Sequence, residues 1–154
     1  MTESTATTEL DRIEREITID APASRVWSLV AEPGWYINDK EIVDHEIERD
    51  GDISYVTDPK HGRFAFRTVE LDEPRYASFR WLADVEDPDS ASTLVEFWIT
   101  ETGDGVLLKV AESGFASLPG SAAERRARYE GNAEGWTIEL DLAKRHLAGA
   151  ATRG

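Results

Sequence analysis

Residues 121–148, SAAERRARYEGNAEGWTIELDLAKRHLA, read as one long amphipathic helix, and the rest of the chain must supply the surface on which it lies. Pro119-Gly120 precedes it. Ser121, with Glu124 three residues on, has the pattern of a capping box: the Ser hydroxyl accepts the Glu N–H, and the Glu carboxylate accepts the Ser N–H. Tyr129, Ala133, Trp136, Leu140, Ala143 and Leu147 follow at alternating spacings of four and three, which puts all six on one face. At about 1.5 Å per residue such a helix spans on the order of 40 Å, the width of a small domain. Gly131 and Gly135 interrupt it, each at a cost of about 1 kcal/mol relative to Ala. They mark either a close approach to a neighbouring loop or subunit, or a soft point that faces Trp35-Tyr36 and opens a cavity.

Upstream of the helix the periodicity is that of strands. Ile13, Ile17 and Ile19 alternate in a first strand that Asp20-Ala21-Pro22 ends. Pro22 suits a helix start, and Val26, Leu29 and Val30 give the following short helix an apolar stripe, with Trp27 beside it. Pro33-Gly34 stops that helix, and Trp35-Tyr36-Ile37 begins a second short helix or loop. Six further strands are expected near residues 42–48, 53–57, 63–71, 75–82, 93–100 and 106–113, separated by turns such as Asp50-Gly51-Asp52 and Gly103-Asp104-Gly105. Thr93, Val95, Phe97 and Ile99 share one face, and Leu108 and Val110 point inward from the next strand. By the same count Glu112 points inward.

A seven-stranded antiparallel sheet cannot bury its concave face alone, and the long helix is the element large enough to cover it. The expected architecture is therefore α+β. Residues 1–11 read as a disordered leader, 12–148 as a single domain and 149–154 as a disordered tail. With 154 residues, 40% of them hydrophobic, one core or a core with a cavity is within reach. Thirty-one acidic against 17 basic residues give a net charge of −14, a field that repels phosphate backbones and anionic lipid. Neither nucleic acid nor a membrane is expected as a partner. The chain contains no cysteine, which removes disulfides, thiolate metal sites and cysteine nucleophiles. No apolar run approaches a membrane span, so a cytoplasmic protein is expected.

Several short stretches carry a resemblance. Ala21-Pro22 leads into Val26-Trp27, Trp35 follows Pro33, and Pro74-Arg75 precedes Phe79-Arg80-Trp81. Glu112-Ser113-Gly114-Phe115 and Gly135-Trp136 with Leu140 complete the set. In order and spacing these resemble the START-like (SRPBCC) helix-grip superfamily, and within it the family named for the activator of heat-shock protein 90 ATPase. Glu73-Pro74 and Gly51-Asp52 stand where that family usually has paired prolines and paired glycines, both at turns. The resemblance implies a curved seven-stranded antiparallel sheet wrapped around a long C-terminal helix, with two short helices after the first strand. It also implies a cavity between sheet and helix able to hold an apolar molecule. It implies no single reaction, because such relatives include lipid carriers, hormone receptors, polyketide cyclases and co-chaperone domains.

His45, His61 and His146 are scattered without metal-ligand spacing, and no nucleophile elbow, phosphate loop or dinucleotide fingerprint is present. No metal and no cofactor is therefore expected. Glu112 is the sharpest candidate: a carboxylate on the concave side is either a general acid/base or ligand anchor, or is satisfied by backbone N–H groups or by Arg126 or Arg80. Arg126 lies three before Tyr129, and Asn132 one turn before Trp136. The expected ligand-binding set is Trp35, Tyr36, Phe66, Phe79, Trp81, Phe97, Glu112, Arg126, Tyr129, Asn132 and Trp136, the aromatics serving as core or as cavity wall. The leading expectation is a non-catalytic binder of a small apolar or amphipathic molecule. One alternative is a polyketide cyclase-, aromatase- or hydratase-like enzyme using Glu112. The other, implied by the family, is a module that acts on a chaperone ATPase. Exposed strand edges or the Trp98 face offer surfaces for a homodimer.

Overall fold

The computed structural model describes residues 11–38, 42 and 45–153. Its strands are β1 (Arg12–Ile19), β2 (Glu46–Asp50), β3 (Ile53–Asp58), β4 (Gly62–Asp72), β5 (Tyr76–Leu82), β6 (Ser92–Glu101) and β7 (Val106–Ser113). They form one sheet in the order β1-β7-β6-β5-β4-β3-β2, antiparallel throughout. The last six strands are a meander, and β1 closes onto β7 with Arg12 opposite Ser113. Helix α1 (Ala23–Val30) follows β1, and α2 (Ala122–Arg153) closes the chain.

The capping box is formed. Ser121 N–H donates to Glu124 Oε1 at 2.7 Å, and Glu124 N–H donates to Ser121 Oγ at 3.1 Å. From that start α2 buries Trp136, Leu140, Ala143 and Leu147 in the same core as Val95, Phe97, Leu108 and Val110. It runs on past Ala148, where the sequence reading ended it, to Arg153: Ala150 and Ala151 are strong helix formers and no proline intervenes. One flank of α2 is tied to β1. Tyr129 Oη donates to the Arg12 carbonyl at 3.1 Å, and Arg15 Nε donates to Thr137 Oγ1 at 3.3 Å.

Of the two short helices expected after β1, the described residues form one. Pro22 sits at the N-cap of α1, its carbonyl accepting the N–H of Arg25 and Val26, and Ala23, Val26, Trp27 and Val30 are buried. Residues 33–36 form a turn, not a helix. Gly34 accounts for this: its φ is +75°, and a Cβ there would lie 3.0 Å from Val56 and 3.1 Å from Phe66. That turn drives Trp35 and Tyr36 under the sheet's concave face.

β2 begins at Glu46 rather than Ile42, which packs on the core outside the sheet; residues 43 and 44 lie outside the described set, as do residues 1–10 of the expected leader. Asp11, the last leader residue, is anchored: its carboxylate accepts the N–H of Gly114 and of Ala116. These bonds fix the short 3-10 turn Phe115–Ser117 that joins β7 to α2. Among the described residues no helix is long and apolar enough to cross a membrane.

Candidate functional site

The interior between sheet and helix is largely filled. Trp35, Phe66, Phe79 and Phe97 are buried in the core, with Trp35 and Phe97 ring centroids 5.6 Å apart and Phe79 and Phe97 6.4 Å apart. Tyr36 bridges this cluster to the helix, its ring 5.7 Å from Phe66 and 4.7 Å from Trp136. Of the two roles expected for the aromatics, core or cavity wall, these four take that of core.

The space that remains is a cleft along the flank of α2 that faces β5. One hollow, about 210 Å³, is lined by Phe64, Trp81, Leu82, Ala83, Thr93, Glu112, Leu118, Arg128 and Asn132. A second, about 110 Å³, is lined by Tyr36, Trp81, Gly131, Asn132, Gly135, Trp136 and Glu139. They share Trp81 and Asn132 in their walls, and each alone is smaller than the roughly 300–1,000 Å³ usual for small-molecule sites. A wider hollow of about 360 Å³ between Asp20–Ala23 and Glu101–Gly105 has no aromatic wall and no unpartnered buried polar atom among the described residues.

β7 delivers Glu112 to the cleft. Its neighbours across the sheet are Ile13 and Val95, and only 1% of it is exposed. Thr93 Oγ1 donates to Oε2 at 2.6 Å, Trp136 Nε1 donates to Oε1 at 2.9 Å, and Asn132 Nδ2 donates to Oε1 at 3.0 Å and to Oε2 at 3.3 Å. Neither Arg126 nor Arg80 pairs with it. Burial pushes its carboxyl above the usual range; the donors Thr93, Trp136 and Asn132 and the charge of Arg128 at the rim pull it partly back. Its hydrogen-bond donors are neutral, and Arg128 at the rim supplies the positive charge that acts on it.

Arg126 does not reach the cleft. It lies on the opposite flank, exposed, 3.2 Å from Glu130 one turn on. Spacing from Tyr129 put it beside the apolar stripe, but β1 occupies that side, and Arg128 is the arginine that lines the cleft. Tyr129 is likewise turned to β1, its ring 5.3 Å from Phe115. Of the expected set the structure brings together Tyr36, Trp81, Glu112, Asn132 and Trp136.

Two features of the cleft escaped the sequence reading. Thr93, though placed inward by strand alternation, was not seen as Glu112's partner. Glu139 lies in the second hollow, where burial raises its carboxyl from 4.5 to about 7 and a bond from Asn38 Nδ2 at 2.7 Å opposes the rise. Its one-turn spacing from Gly135, itself three residues beyond Asn132, was the available signal. The Tyr36 hydroxyl is buried with no hydrogen-bond partner among the described residues, and burial together with the Glu112 charge lifts its pKa well above the ordinary phenol value. Among the described residues nothing lies within 4 Å of where a Cβ would stand at Gly131 or Gly135. They widen the second hollow. The other buried titratable pair, His45 Nε2 and Asp58 Oδ1 at 2.9 Å, closes the β3–β4 turn, where Asp58 also accepts the N–H of Lys60 and His61.

Sheet, gripped helix and flank cleft together define a START-like helix-grip domain. Residues 20–148 match the family model described as activator of Hsp90 ATPase homolog 1-like protein, and the chain belongs to that family. No curated protein matches it. Solved structures share the fold at low identity. A protein from Nitrosomonas europaea superimposes with a TM-score of 0.68 at 16% identity, over 93% of this chain and 97% of that one. The Aha1 dimer from Colwellia psychrerythraea gives 0.64 at 13%, over 89% and 96%. DynU16, encoded in the dynemicin biosynthetic locus, gives 0.64 at 18%, over 89% of this chain but 47% of that one, so this chain spans about half its length.

Proposed function

We propose that this protein binds a small amphipathic molecule in the cleft between α2 and β5, without transforming it. The observation that carries this reading is the wall itself: a buried carboxylate hydrogen-bonded only by neutral donors, beside a tyrosine hydroxyl with no partner among the described residues and the rings of Trp81 and Trp136. An apolar body fits the indoles, and a polar end meets groups that are buried and not yet fully satisfied. The modest volume selects a compact ligand. Native mass spectrometry of freshly purified protein, together with a tryptophan-fluorescence titration using 2-phenylethanol, tests it. A co-purifying small molecule or a saturable fluorescence change supports the reading; a bare mass and a flat titration overturn it.

A second reading makes Glu112 an acid/base in a cyclase- or hydratase-like reaction, favoured by its raised pKa in the cleft wall. Both its oxygens already accept hydrogen bonds, which suits an acceptor held in place better than a proton carrier. Turnover unaffected by Glu112→Gln removes that reading. The chaperone reading rests on the family's description and the Aha1 neighbour; a chaperone ATPase rate unchanged by added protein removes it.

A further inference from the structure

We propose that the hollow beside Glu139 takes the charged head of an organic cation, a protonated amine carried on a small apolar or aromatic body. The inference rests on the cleft-binding reading and adds the ligand's charge to it. Among the described residues this hollow is lined by one carboxylate, one amide, three aromatic residues and two glycines, and by no lysine or arginine. Arg128 lines the other hollow. Glu139 accepts one hydrogen bond among the described residues, from Asn38 to Oε1, and this leaves Oε2 to accept from an ammonium. The Tyr36 hydroxyl, on a residue only 5% exposed, supplies a second acceptor oxygen with no partner among the described residues. An ammonium N–H in this hollow is offered the Glu139 carboxylate, with Tyr36 in the same wall, next to the electron-rich rings of Trp81 and Trp136. An anionic head would meet the Glu139 carboxylate, and the cation of the cleft, Arg128, lines the other hollow. A neutral hydroxyl would satisfy Tyr36 and leave Glu139 as it was.

The charged and titratable groups around Glu139 define how binding responds to pH. Tyr36 and Asn38 face it from the turn after α1, Glu112 from β7 and Arg128 from α2 line the neighbouring hollow, and β5 contributes Trp81, which does not titrate. Because Glu139 holds its proton up to about pH 7 in the unliganded protein, a cation must displace that proton, and its affinity rises with pH.

Calorimetric titration with 2-phenylethylammonium and its neutral counterpart 2-phenylethanol, at constant physiological salt to screen the net charge of −14, separates the possibilities. The ammonium is expected to bind more tightly, and to gain about tenfold in affinity between about pH 6 and about pH 8 while the alcohol stays level. Glu139→Gln should remove the pH dependence and the preference for the cation while leaving alcohol binding in place. Tyr36→Phe, which keeps the ring, should weaken the ammonium several-fold, and it serves if the first variant does not fold. Equal affinities for the two probes, unmoved by either substitution, overturn the cation assignment and leave the cleft reading standing. Failure of both probes to bind overturns the two together.

Discussion

Replacing Gly131 and Gly135 together by Ala should make the protein more stable and a poorer binder. Both positions lie inside α2, and no described residue comes within 4 Å of either prospective Cβ, so neither methyl clashes with one. Each substitution therefore gains the ordinary helix-propensity difference of about 1 kcal/mol, and the pair about 2 kcal/mol. For a domain of this size that raises Tm by on the order of 4–8 °C. The same methyls project into a hollow of about 110 Å³ that both glycines line. Crowding a site of that size costs roughly 1–3 kcal/mol, so the affinity of 2-phenylethylammonium should fall by about tenfold or more. Thermal unfolding and calorimetric titration on one preparation give both numbers. A double variant that is stabilised yet binds as before would refute the idea that the glycines keep the cleft open. A destabilised variant would refute the geometry that leaves their Cβ positions free.

Two further outcomes follow from the carboxylates. Glu112→Gln should change stability by no more than about 1 kcal/mol in a urea titration, because a Gln oxygen can still accept from Asn132 and Trp136 while its amide donates to the Thr93 hydroxyl. Glu112→Ala should cost at least about 3 kcal/mol in the same assay, since three buried donors lose their acceptor and a void opens. Glu139 sets a pH dependence. Its carboxyl is raised in the folded state from 4.5 to about 7, so its contribution is fully present below about pH 4.5 and is lost as pH rises through about 7. Partial exposure to solvent reduces the full linkage value to about 1–2 kcal/mol, and Glu139→Gln should flatten the stability profile across that window by the same amount. Denaturation series at several pH values check this.

The fold was legible because its two periodicities are strong. Alternation through Thr93–Ile99 and Leu108–Glu112 fixed which face of the sheet is concave, and the spacing from Tyr129 to Leu147 fixed the face of the helix. Glu112 and Trp136 could be turned to one interior for the same reason, whereas the spacing left Asn132 facing either that space or solvent. The flank of the helix that borders open space was not legible, because it depends on where β1 docks; hence Arg126 was expected in place of Arg128. For Glu139 the helical spacing from Asn132 and Gly135 is a weak signal, because its burial depends on Asn38 and Tyr36, which follow the Gly34 turn. Whether Trp35, Phe66, Phe79 and Phe97 line a cavity or fill it is a matter of packing that no pattern in the chain encodes.

The five tryptophans offer the most direct measurement of the central claim, that the cleft along α2 is where this protein holds its ligand. In a nitrogen-15 correlation spectrum each indole N–H gives its own signal. Trp81 and Trp136 line the cleft, and Trp136 donates to Glu112; Trp27 is a buried residue of α1, and Trp98 lies against Tyr76 with Lys109 over its ring. Titration with 2-phenylethylammonium should move the Trp81 and Trp136 indoles along one saturating curve and leave Trp27 and Trp98 in place. A spectrum in which no indole moves, or in which only Trp27 or Trp98 responds, contradicts the account.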